Sequence, residues 1–160
     1  WVLRHAARRP DAPAVADGET VHATWSSFAD TVARVAGGFT GDLGLVKGDR
    51  VAFVMANRPE YLEAKFAAWH AGLVAVPVNA RLHREEIAYI LADCGARAAV
   101  ATEDMAEAVN GAGWDGGWYR RGYYDNGVAL GSASGDECQI DALAQDESAR
   151  VVVLAGAGVL

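Results

Sequence analysis

Three short apolar runs without alternation dominate the middle of the chain, at residues 50–55, 73–78 and 97–101. An unalternating apolar run is typical of a strand buried on both faces. The runs begin near residues 51, 74 and 97, an interval of about 23. The segments between them, 59–71 and 84–94, have helical patterns that end at Gly72 and Gly95, which suit the left-handed position after a helix. The pattern predicts a three-layer α/β fold, with a parallel sheet, flanking helices and right-handed crossovers.

The helix predicted over residues 59–71 has recognisable start signals. Asn57 is a candidate cap, and Pro59 suits a first helical turn. Glu60 and Glu63 suit the positive end of the helix dipole. We expect the large apolar residues to face inward, and these are Tyr61, Leu62, Phe66 and Trp69. His70 is expected at the surface.

The first 48 residues predict two helices separated by a hairpin. In the first helix, within residues 1–12, Val2, Leu3, Ala6 and Ala7 share one face. Asp17-Gly18 lies between two β-prone runs and favours a tight hairpin turn, because both residues tolerate positive φ. The stretch at residues 24–28 starts a longer helix, with Ser26 or Ser27 as its cap. Its buried face has helical spacing and consists of Phe28, Val32, Val35, Ala36 and Phe39.

The pattern weakens after Glu103. Met105, Ala106, Ala108 and Val109 allow one short helix, and residues 110–136 are rich in Gly, Asp and aromatic residues. We interpret this second stretch as an ordered surface loop; its aromatics, Trp114, Trp118, Tyr119, Tyr123 and Tyr124, leave base stacking or insertion into a partner's groove as alternatives. A strand-like run follows from Arg150. The chain thus divides into a neutral α/β region (1–102), an acidic Gly/aromatic-rich connecting segment (103–147) and a final strand with a Gly-rich turn (148–160).

Composition narrows the class of protein. The chain has 160 residues, a net charge of −7 and 52% hydrophobic residues, which is typical of a globular domain and not of a disordered one. Residues 101–160 carry the whole net negative charge, with 3 Lys/Arg against 10 Asp/Glu. This balance argues against nonspecific nucleic-acid binding, and no apolar run is long enough to span a membrane. Cys94 and Cys138 fit no metal or redox spacing, which favours a reducing, cytoplasmic setting.

Residues 79–83 form a polar loop after the second predicted strand, and we call this loop the crossing. It is the strongest candidate site. Ligands of open parallel sheets gather at the carboxyl ends of strands. Here Asn79, Arg81, His83 and Arg84 follow Val78 directly. Asn79 is expected to hydrogen-bond the backbone of the turn, and His83 to cap the helix. No catalytic triad, paired carboxylates or metal-ligand cluster stands out, so no catalytic or metal-binding residue is predicted.

The order of motifs resembles one known family. The relevant stretches are R-P-D-A-P-A at 9–14, T-W-S-S-F at 24–28, G-D-R-V-A-F-V-M-A-N-R-P-E-Y at 48–61, A-A-W-H-A-G-L-V-A-V-P-V-N-A-R-L at 67–82 and E-E-I-A-Y-I-L-A-D-C-G-A-R-A-A-V at 85–100. Together they resemble the amino-terminal subdomain of the adenylate-forming superfamily, and the Asn-Ala-Arg-Leu-His crossing is most similar to its acyl-CoA synthetase branch. The fold implied is an incomplete amino-terminal subdomain of such an enzyme.

The resemblance also implies a reaction and its cofactors. A carboxylic acid attacks ATP, with Mg²⁺, to give an acyl adenylate, and CoA then displaces AMP. Arg81 is implied as a contact for the 3′-phosphate of CoA, to which a guanidinium is well suited, and Arg84 as an assisting cation. The alternatives for Arg81 are a solvated loop residue or an ion pair with Glu85.

The end of the chain departs from the family pattern. A Ser/Thr/Gly-rich phosphate loop followed by Lys is implied after the last strand, but residues 154–160 read L-A-G-A-G-V-L. Only Gly156 falls on a family glycine, so we expect a fragment that is inactive alone. Two alternatives remain: a non-catalytic binding or interaction remnant, and an NAD-binding fold that uses the terminal G-A-G, although a lone G-x-G is a weak signal.

Overall fold

A computed structural model of the protein describes residues 1–102, 105, 108–109, 121–124, 127–128 and 151–155. The chain forms two compact units. The first consists of residues 1–48 and 57–74, and the second consists of residues 49–56 and the chain from residue 75 onward. No helix among the described residues is long and apolar enough to cross a membrane.

The first unit begins with a short helix and a hairpin. Helix α1 spans Val2–Arg8, and strands β1 (Pro13–Asp17) and β2 (Thr20–Thr24) pair antiparallel around Gly18, whose φ is +58°. The predicted hairpin is therefore confirmed. The predicted inward face of α1 is only partly right. Val2 is buried, but Leu3 and Ala7 are exposed, because only the side of α1 that carries Val2 and Ala6 packs against the apolar cluster.

Helix α2 spans Trp25–Gly37 and continues as a π-helical turn over Gly38–Asp42. Its cap is Thr24, whereas the sequence predicts Ser26 or Ser27. The Thr24 hydroxyl accepts from the Ser27 amide at 3.3 Å, and the Thr24 amide donates to the Ser27 hydroxyl at 3.0 Å, so both residues stabilise the helix start. The buried positions agree with the prediction, and they include Phe28, Val32, Val35, Ala36 and Phe39.

Helix α3 spans Pro59–His70 and packs against α2. Arg58, not Asn57, is its N-cap residue, and Pro59 occupies the first turn as predicted. The prediction for its inward face is wrong at Leu62 and Trp69, which are exposed. The fully buried stripe consists of small residues instead, and these are Ala64, Ala67 and Ala68. Side-chain size is therefore a poor guide to the buried face of this helix.

One apolar cluster forms the core of the first unit and joins α1, the hairpin and α2. Trp25 and Phe28 lie at its centre, and Phe66 of α3 packs against it. Aromatic pairs in edge-on geometry stabilise such a cluster beyond their buried area. The full set of buried members is Val2, Val15, Ala23, Trp25, Phe28, Ala29 and Val32.

Among the described residues, the second unit contains a six-stranded mixed sheet, whose strand order is β4 (Val74–Val78), β3 (Arg50–Val54), β5 (Ala98–Thr102), β8 (Val151–Ala155), β6 (Arg121–Tyr124) and β7 (Gly127–Val128). The first three strands are parallel and confirm the predicted sheet: β3 spans Arg50–Val54, β4 spans Val74–Val78 and β5 spans Ala98–Thr102. Helix α4, Arg84–Asp93, follows β4. Gly72 and Gly95 have φ of +75° and +57°, as their predicted position after a helix requires.

The sheet then continues with antiparallel strands. Strand β8 (Val151–Ala155) pairs with β5 and β6, and β6 (Arg121–Tyr124) also pairs with β7 (Gly127–Val128). The predicted strand after Arg150 is confirmed. The loop predicted over residues 110–136 is wrong for 121–124 and 127–128, because β8 supplies a backbone partner that is distant in sequence. The predicted roles of Trp114, Trp118 and Tyr119 lie outside the described residues.

The core of this unit lies between α4 and one face of the sheet. Ile87 and Leu91 of α4 are fully buried against strand residues that include Ala52, Val54 and Ala99. Val109 is also buried there, and Met105 and Ala108 pack against the cluster. These three residues are helical, in agreement with the short helix predicted after Glu103.

Candidate functional site

The crossing between β4 and α4 is shaped by Asn79. The Asn79 side-chain oxygen accepts a hydrogen bond from the Arg81 amide at 2.9 Å, and its carbonyl accepts one from the Leu82 amide at 3.2 Å. This is the side-chain mimic of a backbone turn that the sequence predicts. Asn79 therefore fixes the conformation of the turn that carries Arg81, and its side-chain oxygen is occupied by this hydrogen bond.

His83 and Glu86 define the start of α4. His83 is the N-cap residue, as predicted. Its amide donates to the Glu86 carboxylate at 2.9 Å, and the Glu86 amide donates to the His83 carbonyl at 3.0 Å. Glu86 is a residue that sequence reasoning missed, although an acid three residues after the cap is a known start signal.

Arg84 and Glu85 form an exposed ion pair. Arg84 Nε lies 3.0 Å from Glu85 Oε1, and the two side chains are 64% and 73% exposed. The hydrogen bond from Arg84 lowers the pKa of Glu85 below its ordinary value. An ion pair between Arg81 and Glu85 is one alternative that the sequence leaves open. In the structure the Glu85 carboxylate pairs with Arg84 instead.

Arg81 is exposed at the middle of the crossing. Its backbone amide is bound by Asn79, and its guanidinium forms no hydrogen bond or ion pair with the described part of the chain. Parallel strands end at one edge of a sheet, so the crossing lies at the same edge as the carboxyl ends of β3 and β5. A free guanidinium on a fixed turn at this edge is suited to bind an anionic ligand.

Thr102 is a second residue at this edge that sequence reasoning missed. It is 1% exposed, and its hydroxyl accepts a hydrogen bond from the Ala56 amide at 3.2 Å. The contact ties the exit of β3 to the end of β5. A hydroxyl residue that closes an apolar strand was the available signal in the sequence.

The remaining predicted site residue, Gly156, lies outside the described residues. Strand β8, which precedes it, runs antiparallel to both of its neighbours. A dinucleotide fingerprint requires its strand to lie in a parallel strand–helix–strand unit, so β8 does not support the NAD alternative. Within the described ranges, no three His, Cys, Asp or Glu side chains come together as a metal site.

Comparison with known proteins shows the family. Residues 2–149 match the AMP-binding enzyme family, and the chain belongs to it. Over 109 residues the chain is 42% identical to a feruloyl-CoA synthase from an Amycolatopsis species. This alignment covers 68% of the present chain and 22% of the synthase. Over 112 residues it is 36% identical to the long-chain-fatty-acid–CoA ligase FadD13 of Mycobacterium tuberculosis, covering 69% of this chain and 22% of the ligase.

Solved structures support the same relationship. The crystal structure of the inhibitor-bound N-terminal domain of FACL13 from Mycobacterium tuberculosis matches with a TM-score of 0.64 and 31% identity, over 69% of this chain and 28% of that one. The predicted resemblance and fold class are therefore confirmed. The chain spans about a fifth of the length of the curated relatives named above.

Proposed function

We propose that this chain is the amino-terminal part of an ATP-dependent acyl-CoA synthetase. In the complete enzyme, an oxygen of the carboxylic acid attacks the α-phosphorus of ATP, and pyrophosphate leaves. The thiol of CoA then attacks the acyl carbon, and AMP leaves. The family match and the relatives, which are named as CoA synthases and ligases, support this reaction class. The relatives' names include both aromatic and fatty acids, so the proposed substrate class is a carboxylic acid, and the proposed location is cytoplasmic.

Arg81 is the residue we propose for binding CoA. Its guanidinium is exposed, and the Asn79 side chain holds the turn beneath it. A guanidinium binds phosphate through two parallel hydrogen bonds. Arg84 lies nearby but pairs with Glu85, so it is the weaker candidate for the same phosphate. The free Arg81 guanidinium is the single observation that carries this part of the proposal.

We expect the 160-residue chain not to form an acyl adenylate by itself. Residues 154–160 contain no Ser, Thr or Lys, and the family resemblance places those residue types in the loop that binds ATP phosphates. The proposed ATP and Mg²⁺ sites thus require residues other than 154–160. The measurement is pyrophosphate release with ATP, Mg²⁺ and a panel of fatty and aromatic acids. A complete feruloyl-CoA synthase serves as the positive control, and pyrophosphate release by this chain would overturn the expectation.

CoA binding tests the role of Arg81 directly. We expect CoA to raise the melting temperature, and dephospho-CoA, which lacks the 3′-phosphate, to raise it much less. Arg81→Ala is expected to weaken CoA binding by roughly 10- to 100-fold, which corresponds to one hydrogen-bonded charge pair. Titration calorimetry with the two ligands gives the affinities.

The control is Arg4→Ala, which removes an exposed arginine from α1 and leaves the crossing intact. Equal affinity for CoA and dephospho-CoA, or an Arg81→Ala variant that binds like the unchanged protein, would contradict a phosphate contact. If neither ligand changes the melting temperature, the non-catalytic remnant becomes the better description.

A further inference from the structure

The charge of Arg84 is neutralised by its neighbour Glu85. Arg84 Nε donates a hydrogen bond to Glu85 Oε1 at 3.0 Å. Within the described part of the chain, no other hydrogen bond or ion pair holds this guanidinium. The two side chains are 64% and 73% exposed. The pair is therefore in contact with solvent, where a dissolved anion can reach the arginine.

The two acids in the first turn of α4 have different roles. The Glu86 carboxylate accepts the His83 amide at 2.9 Å and stabilises the helix start. The Glu85 carboxylate is held instead by the Arg84 side chain. The hydrogen bond from Arg84, with a smaller contribution from the Glu85 backbone, lowers the pKa of Glu85 below the ordinary 4.5, so this carboxylate is charged at neutral pH. Glu85 is thus available to compete with an anionic ligand, whereas Glu86 is occupied.

Arg84 and Arg81 flank the junction between the crossing and α4. Arg81 precedes the N-cap residue His83 by two positions, and Arg84 is the first residue of the helix. Successive Cα atoms are about 3.8 Å apart, so the Cα atoms of the two arginines are at most about 11 Å apart. Two long side chains at this separation can contact one phosphorylated ligand. In the structure the Arg81 guanidinium is available for such a contact, and the Arg84 guanidinium is paired.

We propose that Glu85 limits the affinity for CoA by competing with the 3′-phosphate for Arg84. A guanidinium binds carboxylate and phosphate through the same N–H groups. The phosphate therefore has to displace Glu85 or meet an arginine whose charge is already neutralised. This inference rests on the proposed function, because it takes the ligand phosphate to be the one assigned to Arg81. It adds to that site a residue whose removal tightens binding.

Glu85→Gln in the full chain tests the competition by a gain of affinity. We expect this variant to bind CoA about two- to fivefold more tightly than the unchanged protein, which is the effect of no longer displacing an exposed ion pair. Dephospho-CoA, which lacks the 3′-phosphate, is expected to bind both proteins equally. Titration calorimetry with the two ligands gives the affinities, and circular dichroism melting shows that each variant is folded.

A double-mutant cycle separates competition for Arg84 from the general loss of one negative charge. In an Arg84→Gln background, Glu85→Gln removes the same charge but releases no arginine, so the gain of CoA affinity is expected to vanish. The matched charge control is Asp93→Asn, which removes an exposed acid from the last turn of α4. This control is expected to leave the CoA affinity unchanged.

The outcomes distinguish this competition from the phosphate contact of Arg81. If Arg81→Ala weakens CoA binding but Glu85→Gln brings no gain, the contact of Arg81 stands and the competition is wrong. A gain that persists in the Arg84→Gln background, or that extends equally to dephospho-CoA, also overturns the competition. A gain that requires Arg84, in a chain whose Arg81→Ala variant binds CoA normally, supports the competition and overturns the contact of Arg81. If no variant binds CoA, both proposals are wrong.

Discussion

Glu63 is a carboxyl group that links two elements of the first unit. Its Oε1 atom lies 3.2 Å from His22 Nε2, which joins α3 to strand β2, and its side chain is only 15% exposed. Burial raises the pKa of Glu63 above the ordinary 4.5, while His22 acts in the opposite direction and partly offsets the shift. Burial costs the charged form solvation, so folding favours the protonated form of Glu63 more than the unfolded chain does.

The consequence is a pH dependence of stability. A group whose folded pKa is raised stabilises the fold below its unfolded pKa, and that contribution is lost as pH rises through the folded value. The advantage of the unchanged protein over Glu63→Gln is therefore expected to be largest below pH 4.5 and to shrink toward neutrality. Urea unfolding of both proteins across this range measures the free-energy difference.

Glu85 is a suitable control because its shift has the opposite sign. Its pKa is lowered by the hydrogen bond from Arg84, so its contribution is present above pH 4.5 and is lost as pH falls. The pair is exposed, and the effect of Glu85→Gln is expected to be small. A Glu63→Gln difference that grows with rising pH would show that His22, and not burial, dominates at Glu63.

At the scale of single elements, helix faces were predictable where the buried side chains are large. The buried stripe of α2 contains Phe28, Val32 and Val35, and their spacing alone identifies it. In α3 the buried stripe is alanine, whereas the exposed Leu62 and Trp69 have the same spacing as a core face. The sequence cannot separate these cases, because hydrophobic periodicity records which residues are apolar and not which side a neighbouring element covers.

Helix starts and turns show a similar division. The turn at Asp17-Gly18 and the ends at Gly72 and Gly95 were predictable because each depends on one residue with positive φ. The start of α2 depends instead on a reciprocal pair, Thr24 and Ser27. Several hydroxyl residues compete there in the sequence, so the position of the cap was known only to within one turn.

At the scale of the whole molecule, the parallel part of the sheet was predictable from local rhythm. Strands β3, β4 and β5 are joined by short crossovers, so their order of appearance constrains their neighbours. The pairing of β8 with β5 joins residues about 50 positions apart, such as Val100 and Val153. No local pattern predicts that pairing, and it brings β6 and β7 into the sheet where a loop was expected.

The candidate site was predictable in part for the same reason. Asn79, Arg81 and His83 follow a strand directly, so their place at the sheet edge follows from the strand prediction. Which arginine pairs with Glu85 depends on side-chain rotamers at the start of α4, and sequence spacing leaves that choice open. The phosphate contact of Arg81 remains a prediction.

The second unit depends on the packing of α4 against the sheet. This packing leads to a prediction for the free energy of unfolding. Leu91 is fully buried in the cluster, while Tyr89 on the same helix is 69% exposed. Leu91→Ala is expected to cost about 2–5 kcal/mol of unfolding free energy, because it removes buried methyl groups and leaves a cavity. This is a large share of the ~5–15 kcal/mol that stabilises a typical domain. Tyr89→Ala is expected to cost about 0.5 kcal/mol or less.

Urea unfolding followed by circular dichroism compares the Leu91→Ala and Tyr89→Ala variants. If Leu91→Ala does not fold, Ile87→Val replaces it, with an expected cost of about 0.5–1.5 kcal/mol. Equal losses of unfolding free energy at the buried and exposed positions would mean that α4 does not pack against the core of this unit.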